Sequence, residues 1–598
     1  MRSLILLLSF LCLVNCKEDK TSKTELTTTG SSSYTISFEN AAHHEAEITA
    51  TFKGLKAGEA AFRMSRSSPG RYAIHEFAKN VYNVKVTDSK GHVLETIRPD
   101  PYSWSVNNHD GTIIVSYTLY ANHGDGTYAQ VDETHAHLNM PATFMYAPSL
   151  ENDTFNIEFK PREDLNWKIA TQLKLVEGNT YSADNLQYFM DSPTEISDHM
   201  VRSFEVDGQK INFALHHNGT VAEFDDYFEK VKKTILQQKA VFGELPTFDY
   251  GEYTFLGCYI PNATGDGMEH RNSTIVISTR SLADGADRNL GTVSHEFFHC
   301  WNVERIRPQS LEPFNFEAAN MSGELWFAEG FTSYYDDLTL TRAGLITQED
   351  YIKGLTGTFN YVWNSPGRQF FNPIEMSYQA PFVDAARSVD DINRGNTFIS
   401  YYSYGSMLGL ALDLSLRAEN LNLDDYMTLV WNTYGKTETY YTIADLQQTL
   451  KAYAGAEFGD AFFNNYIYKS GMPDFESLFK TVGVQLQQNI DQPAFGLRLK
   501  NQVITSNTIV GSGAYAAGLE KGDKLLKIDG VEINETSDLN KILGTVKPNQ
   551  TVDVVYERFG KQRTVKLTLD ADTSYTISSL DDLSEAAKAN RDAWLGAK

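Results

Sequence analysis

Two histidines and a glutamate of this chain have the types and spacing to hold a metal ion and to activate water beside it. Residues 294–302 read SHEFFHCWN, which places His295 and His299 four positions apart, with Glu296 next to the first. A helix has about 3.6 residues per turn, so both imidazoles share one face and can reach one zinc ion. Glu296 lies near the remaining coordination position and can take a proton from water, whose pKa zinc lowers towards neutrality. The spacing therefore predicts zinc-dependent hydrolysis.

A third zinc ligand is predicted in residues 324–335, which read ELWFAEGFTSYY. This segment resembles the one by which gluzincin peptidases bring a glutamate to the metal, and the resemblance assigns that role to Glu329 rather than Glu324. Glu329 follows His299 by 30 positions, a longer separation than in the aminopeptidase N pattern. We therefore expect an additional loop around residues 305–308.

A motif upstream of the histidines bears on the substrate. Residues 265–270 read GDGMEH and resemble the GxMEN motif of exopeptidases, whose strand pairs with the substrate backbone and whose glutamate binds the free α-ammonium. The resemblance predicts a substrate-binding segment of Gly267, Met268 and Glu269, with Glu269 as a charge-assisted acceptor. His270 stands where that motif has asparagine.

A tyrosine is predicted to complete the site. Residues 401–405 read YYSYG and resemble the Tyr-x-x-Gly start of a helix that places a phenol near the scissile carbonyl in related aminopeptidases. Tyr402, three positions before Gly405, is the match. The resemblance implies that its hydroxyl stabilises the oxyanion.

The patterns around these motifs predict the elements that position them. Residues 34 to about 207 show short alternating apolar runs between Gly, Asn and Asp turns, which is typical of a mostly antiparallel β domain. Residues 221–242 have a helical period, and helical patterns continue to about residue 480. Residues 489–493 read as a linker, and residues 495–570 return to strands with glycine-rich turns. The metal motifs therefore lie in a mainly helical middle domain.

The first residues predict export. A basic start and a short apolar run predict a signal peptide rather than a membrane helix. Residues 13–16, LVNC, resemble a bacterial lipobox, which implies lipidation of Cys16 and attachment to a membrane through that lipid alone. The charged residues 17–20 resemble a tag that sends some bacterial lipoproteins to the cell surface. We therefore expect a lipid-anchored protein of the bacterial cell envelope, on the outer-membrane surface.

The net charge limits the possible binding partners, and the cysteines bear on disulfide formation. The formal net charge is −25 and there is no long basic run, so nucleic acid is excluded as a partner. Beyond the predicted signal and lipid site, Cys258 and Cys300 remain. An oxidising compartment permits them to pair, and two buried free thiols are the alternative.

Together, these motifs resemble peptidase family M61, the glycyl aminopeptidases. The N-terminal domain of that family has a stretch ending in Pro-Gly-x-Tyr, which appears here as Pro69 to Tyr72. The extended active-site motif runs from His295 to Pro308, and the Glu-Gly-x-Thr-x-Tyr-Tyr tract from Glu329 to Tyr335. The resemblance implies an N-terminal β domain, a thermolysin-like catalytic domain and a C-terminal PDZ domain. It also implies a preference for N-terminal glycine or alanine.

The PDZ domain has sequence evidence of its own. Residues 516–530, AAGLEKGDKLLKIDG, match the pattern of bacterial PDZ domains, and residues 495–499, FGLRL, resemble their carboxylate-binding loop. Such loops capture a peptide C-terminus by strand addition. The alternative is a PDZ fold that only packs on the catalytic domain.

The sequence thus predicts a multidomain α+β protein: a zinc aminopeptidase with one zinc ion, acting on peptides with a free N-terminus. Two alternatives remain, an endopeptidase using the same zinc and a surface lipoprotein that binds peptides while its zinc site is degenerate. The predicted segments are a lipoprotein signal peptide (1–16), a flexible tether (17–32), an N-terminal antiparallel β domain (33–210), a thermolysin-like, mainly helical catalytic domain (211–485), a β-rich PDZ domain (490–572) and a C-terminal tail (573–598).

Overall fold

The computed structural model of the protein describes residues 30–384 and 390–598. The predicted signal peptide and the lipidation site at Cys16 lie outside these residues, as does most of the predicted tether. Within the described residues, the first strand begins at Ser31. No helix of the described part has the length and apolar composition to cross a bilayer.

The N-terminal domain is built on a seven-stranded sheet. Its strands bury alternate residues, so that Tyr34 and Ile36 of the first strand point into the core. Only the pairing of Ser31–Ser37 with Thr154–Lys160 is parallel, and the mostly antiparallel prediction is confirmed. In sheet order the strands are Lys174–Glu177, Thr180–Ala183, Thr154–Lys160, Ser31–Ser37, Glu45–Lys53, Thr112–Tyr120 and Val81–Thr87.

Two smaller sheets complete this domain. The first faces the catalytic domain and contains, in order, Lys168–Thr171, Thr194–Ser197, His135–Leu138 and Gln130–Val131. The second contains Ala60–Arg63, Ser103–Val106 and Ile97–Asp100.

The catalytic domain begins with a five-stranded sheet. Its strands are, in order, Met200–Val206, Gln209–His217, Glu252–Tyr259, Ser273–Ser278 and Asp266–His270. The predicted domain boundary at residue 210 is therefore about ten residues too late, because Met200–Val206 pairs with Gln209–His217 in this sheet. Alternation along a strand indicates which residues face a core but not which of two adjoining sheets the strand joins. Asp266–His270 lies at one end of the sheet and is called the edge strand below.

Helices make up the rest of the catalytic domain. Val221–Phe242 has the predicted bounds: Thr220 and Glu223 form a capping box at its start, and Gly243 follows its end in the left-handed conformation. Leu282–Phe298, the motif helix, carries His295 and Glu296, and His299 follows as its C-cap in helical conformation. The other α-helices are Leu325–Ala328, Gly330–Arg342, Gln348–Trp363, Pro373–Ser377, Ala380–Val383, Arg394–Thr397, Tyr401–Ala418, Leu423–Val430, Ile443–Ala454, Ala456–Phe462 and Phe475–Thr481.

The PDZ domain is inserted into the catalytic domain rather than appended to it. Val484–Gln488 enters it and Tyr575–Ser579 leaves it, and these two strands pair with each other. Asn396 of the catalytic domain also donates to the carbonyl oxygen of Thr508 at 3.0 Å. The PDZ elements are Leu499–Lys500, Val503–Ile504, Gly513–Ala516, Lys524–Ile528, Val531–Glu532, Thr536–Leu543, Thr551–Arg558 and Lys561–Thr568.

The segment predicted as a C-terminal tail is part of the catalytic core, which corrects that prediction. Its helix Glu585–Leu595 packs on the catalytic domain. Trp594 is fully buried, its indole N–H donates to the Tyr334 hydroxyl at 2.9 Å, and its ring meets that of Tyr351. Apart from four alanines, its apolar residues are Trp594 and Leu595 at its C-terminal end, so the pattern was only a weak indication of burial. The multidomain α+β architecture as a whole is confirmed, and Cys258 and Cys300 are both buried free thiols.

Replacing Trp594 with alanine should destabilise the catalytic domain, although the residue lies beyond the PDZ domain. Loss of a buried indole leaves a cavity and removes the hydrogen bond that the Tyr334 hydroxyl accepts, although this hydroxyl still donates to Asp413. We therefore expect a loss of about 3–5 kcal/mol in the free energy of unfolding, most of it from the cavity. Chemical denaturation followed by tryptophan fluorescence and circular dichroism measures this loss. Lys588→Ala, an exposed position on the same helix, is the control and should be nearly neutral. Equal stability of the two variants would contradict the assignment of this helix to the core.

Candidate metal centre

The structure brings three side chains together at the end of the motif helix. Nε2 of His295 and Nε2 of His299 lie 3.5 and 3.3 Å from Oε2 of Glu329. The three donor atoms are all within 4.8 Å of one another. Two imidazole nitrogens and one carboxylate oxygen at such separations match the protein ligands of a catalytic zinc site, which keeps its fourth position open.

The outer nitrogens of both rings are held by hydrogen bonds. Nδ1 of His299 donates to the carbonyl oxygen of Asn302 at 2.6 Å. Nδ1 of His295 lies 3.1 and 3.2 Å from the two carboxylate oxygens of Asp336. Protons on Nδ1 leave both Nε2 lone pairs directed inward, as a metal requires. The residues present therefore fit a zinc ion.

Asp336 is a functional residue that the sequence analysis missed. It stands seven positions after Glu329, two helical turns along the Gly330–Arg342 helix and on the same face. That spacing was the available signal. Its carboxylate orients His295 and raises the basicity of the imidazole.

Glu329 is almost completely buried, and a residue of another domain supports it. The hydroxyl of Tyr72 donates to Oε1 of Glu329 at 2.7 Å, and both residues are inaccessible to solvent. Burial raises the pKa of Glu329, but as long as the histidines are protonated, the charge of His299 and the hydrogen bonds from both rings hold that pKa well below its usual range. A bound zinc ion would take the place of those Nε2 protons. Tyr72 ends the Pro-Gly-x-Tyr stretch, and nothing in that pattern indicated a contact with a residue 257 positions later.

Glu296 faces the edge strand across a narrow gap. A Cβ on Gly267 would overlap its Oε1, so a larger residue there would displace the carboxylate. Its Oε2 has no hydrogen-bond partner among the described residues. Burial raises the pKa of Glu296 to about 8. The carboxylate is thus close to the metal ligands and free to exchange a proton.

The edge strand places the remaining predicted substrate residues next to this group. Carboxylate oxygens of Glu269 and Glu296 and a nitrogen of His299 lie within 4.8 Å of one another. Met268 is buried on the opposite face of the strand. On that same face, Nδ1 of His270 is 2.9 Å from Oδ1 of Asp191 of the N-terminal domain. His270 is thereby directed away from Glu269.

The N-terminal domain forms one wall of this cleft. Arg71 pairs with Asp266 at the start of the edge strand, and the backbone N–H of Gly126 donates to the same carboxylate at 3.1 Å. Gly70 has a positive φ of 75°, and a Cβ there would overlap Met268 and lie 3.0 Å from Glu269 Oε2. Only glycine fits between these side chains in that conformation.

Tyr402 lies beside the metal ligands. Its ring centroid is 5.8 Å from that of His295, and it stacks on Tyr401 at 4.7 Å. Its helix approaches the Glu329 segment through two glycines, because a Cβ on Gly330 would overlap the backbone of Gly405. This explains why both motifs carry a glycine at these positions.

Comparisons with known proteins assign a family to three segments of the chain. Residues 33–198 match the peptidase M61 N-terminal domain, residues 288–408 match M61 glycyl aminopeptidase, and residues 481–569 match the PDZ domain. The crystal structure of an aminopeptidase N family protein from Idiomarina loihiensis superposes with a TM-score of 0.83 at 25% identity, covering 94% of this chain and 100% of that one.

Shorter matches concern other proteases. The periplasmic pH-dependent serine endoprotease DegQ of Escherichia coli is 30% identical over 97 residues, which make up 16% of this chain and 21% of that protein. The chain spans about a fifth of the length of the curated relatives that it matches first.

Asp336→Asn should weaken zinc binding without removing a ligand. Loss of the carboxylate that orients His295 is expected to lower zinc affinity by about 10–100-fold. Competition with a chelator of known affinity measures this change directly. Asp337→Asn, the exposed neighbour, is the matched control and should bind zinc as the unaltered chain does. Unchanged affinity in Asp336→Asn would show that the outer nitrogen of His295 needs no anionic partner.

Proposed function

Since the chain belongs to the M61 peptidase family, we propose that it is a zinc aminopeptidase that removes N-terminal residues from peptides. The observation that carries this proposal is the position of Glu269, whose carboxylate lies within 4.8 Å of Glu296 and His299. A carboxylate so close to the reacting groups can hold the α-ammonium of a substrate, and only one residue then fits between that ammonium and the bond to be cleaved.

In this proposal His295, His299 and Glu329 hold one zinc ion. When bound, zinc polarises the scissile carbonyl and makes water a stronger acid. The proton on Nδ1 of each histidine, held by Asp336 or by the Asn302 carbonyl oxygen, keeps Nε2 available to the metal.

Glu296 acts as the general base and then as the general acid. Its unpartnered carboxylate oxygen accepts a proton from the attacking water, and the same proton is delivered to the nitrogen of the leaving amine. A carboxyl group whose pKa lies near the working pH can both accept and release a proton. Burial raises the pKa of Glu296 above this range, and the charge of a bound zinc ion would lower it again. Gly267 leaves space for the carboxylate and for the substrate backbone beside it.

The remaining residues position the substrate. Gly267 and Met268 offer the backbone of the edge strand to an extended peptide, while Glu269 pairs with its ammonium group. The hydroxyl of Tyr402 donates to the oxyanion that forms at the scissile carbonyl. The matching family model is described as glycyl aminopeptidase, and a preference for N-terminal glycine, extended to alanine, belongs to the same proposal.

We also propose that the protein works in the bacterial cell envelope, exported and anchored by lipid at Cys16. The Escherichia coli relative is described as periplasmic. The PDZ domain is proposed to receive the C-terminus of a peptide. The alternatives differ in what they predict: an endopeptidase cleaves peptides with a blocked N-terminus, and a pure binding protein cleaves nothing when loaded with zinc.

Glu296→Gln should abolish turnover while leaving the metal in place. Glutamine keeps the size of the side chain but cannot carry the proton, so we expect kcat to fall by about 10²–10⁴-fold. Hydrolysis of glycyl, alanyl and leucyl anilides, with zinc content measured on the same samples, tests this. Full activity in the zinc-loaded variant would remove Glu296 from the mechanism. Absence of cleavage by the zinc-loaded unaltered chain would favour the binding protein.

Glu269→Gln should affect substrates according to their N-terminus. Loss of a charge-assisted hydrogen bond of about 1.5–3 kcal/mol predicts a fall of about 10- to 100-fold in kcat/KM for free-amine peptides. An N-acetylated peptide of the same sequence is the matched control and should be cleaved by neither form. Cleavage of the acetylated peptide by both forms at similar rates would instead identify an endopeptidase.

A further inference from the structure

A second group of metal-binding side chains lies between the N-terminal domain and the catalytic domain. His135 and Glu195 come from paired strands of the small sheet, His135–Leu138 and Thr194–Ser197, and Cys258 comes from the catalytic strand Glu252–Tyr259. Their donor atoms lie within 4.8 Å of one another. This group shares no residue with the candidate metal centre.

The distances in this group match those between ligands of one tetrahedral ion. Nδ1 of His135 is 3.2 Å from Oε1 of Glu195 and 3.7 Å from Sγ of Cys258. Around zinc, nitrogen and oxygen donors lie about 3.3 Å apart, and nitrogen and sulfur donors about 3.6 Å apart. The separation between His299 and Glu329 in the catalytic site is 3.3 Å. The two groups therefore have comparable spacing.

The second observation is that the side chains of this group are buried while some of the polar atoms in and around it have no hydrogen-bond partner. His135, Glu195 and Cys258 are each 1% exposed or less. Oε2 of Glu195 has no hydrogen-bond partner among the described residues, although Nδ1 of His137 lies 3.4 Å away. Nε2 of His216, whose ring stacks on His135 at 5.1 Å, is also without a hydrogen-bond partner in the described part of the chain. Buried polar atoms are normally hydrogen-bonded, so the two unpaired atoms favour a site that binds a metal ion.

The outer nitrogen of His135 has the surroundings of a ligand. Its Nε2 lies 3.8 Å from Oδ2 of Asp132 and has no hydrogen-bond partner among the described residues. The carboxylate is near enough to attract the proton that this nitrogen carries when Nδ1 binds a metal, but unlike Asp336 behind His295 it makes no hydrogen bond. Asp132 is itself fixed, because Nδ2 of Asn262 donates to it at 2.9 Å.

We propose that His135, Glu195 and Cys258 hold a second, structural zinc ion that joins the two domains. One imidazole, one carboxylate and one thiolate form a donor set of intermediate softness, which suits zinc better than calcium or magnesium. The thiol of Cys258 loses its proton when the metal binds. Among the described residues these three supply the donor atoms, and water would take the fourth position.

This ion would stabilise the wall of the substrate cleft. Cys258 is the penultimate residue of the strand Glu252–Tyr259, and the turn after that strand contains Asn262 and leads to the edge strand. The amide of Gln130 donates to the Asn262 carbonyl oxygen at 3.1 Å. The N-terminal domain thus contacts the turn that links Cys258 to the strand of Glu269. A metal bond in the same place would fix this connection more firmly than hydrogen bonds alone.

The absorption spectrum of the Co²⁺-loaded protein tests the second site independently of the catalytic site. The candidate catalytic ligands include no sulfur, so a thiolate-to-cobalt charge-transfer band in the near ultraviolet can arise only from a cysteine ligand. We expect the full chain loaded with Co²⁺ to bind two ions and to show this band, which Cys258→Ser should abolish. Cys300→Ser is the matched control, a second buried cysteine, and should keep the band.

Metal content provides an independent measurement. Mass spectrometry of the purified protein should find two zinc ions per chain, one in His135→Ala and two in the exposed control His43→Ala. Glu329→Gln should lose the other ion and keep the cobalt band, which separates this proposal from the proposed peptidase activity. A cobalt-loaded chain with no charge-transfer band, or with one that survives Cys258→Ser, would overturn the proposal even if the variants are less stable.

Discussion

The site depends on a single carboxylate that is buried where three parts of the chain meet. A charged group removed from water costs several kcal/mol unless partners compensate it. Glu329 is 1% exposed, and its partners come from the motif helix, which supplies His295, from the helix C-cap, His299, and from the N-terminal domain, which supplies Tyr72. No single element can form this arrangement, and the Tyr72 hydroxyl reaches Glu329 only where the N-terminal domain is docked on the catalytic domain.

The same constraint makes the N-terminal β domain part of the cleft. Arg71 and Gly126 both bind Asp266 at the beginning of the edge strand, and Gly70 leaves space for Met268 and Glu269. The strand that faces the substrate therefore owes its position to contacts outside its own domain. Small residues at these contacts allow the backbones to approach closely, while the ion pair fixes the alignment.

The sequence predicted features that depend on local spacing. The HExxH pattern, the Glu-Gly and Tyr-x-x-Gly motifs and the helix Val221–Phe242 can all be recognised within a few turns of chain. Contacts between distant segments were not predictable in this way. Tyr72 meets Glu329 across 257 positions, and Met200–Val206 joins a sheet whose other strands follow it. Neither periodicity nor composition records which surface an element will face.

The position of Trp594 has a consequence for the order in which the molecule can be made. The ribosome and an export channel both release a chain from its N-terminus, and domains fold as they emerge. Here the helix Glu585–Leu595 fills the catalytic core, yet it is synthesised after the whole inserted domain. A partly emerged chain has its HExxH segment but not the indole that completes the core. Formation of the catalytic core therefore has to wait until the helix Glu585–Leu595 has been synthesised and has left the ribosome or the export channel.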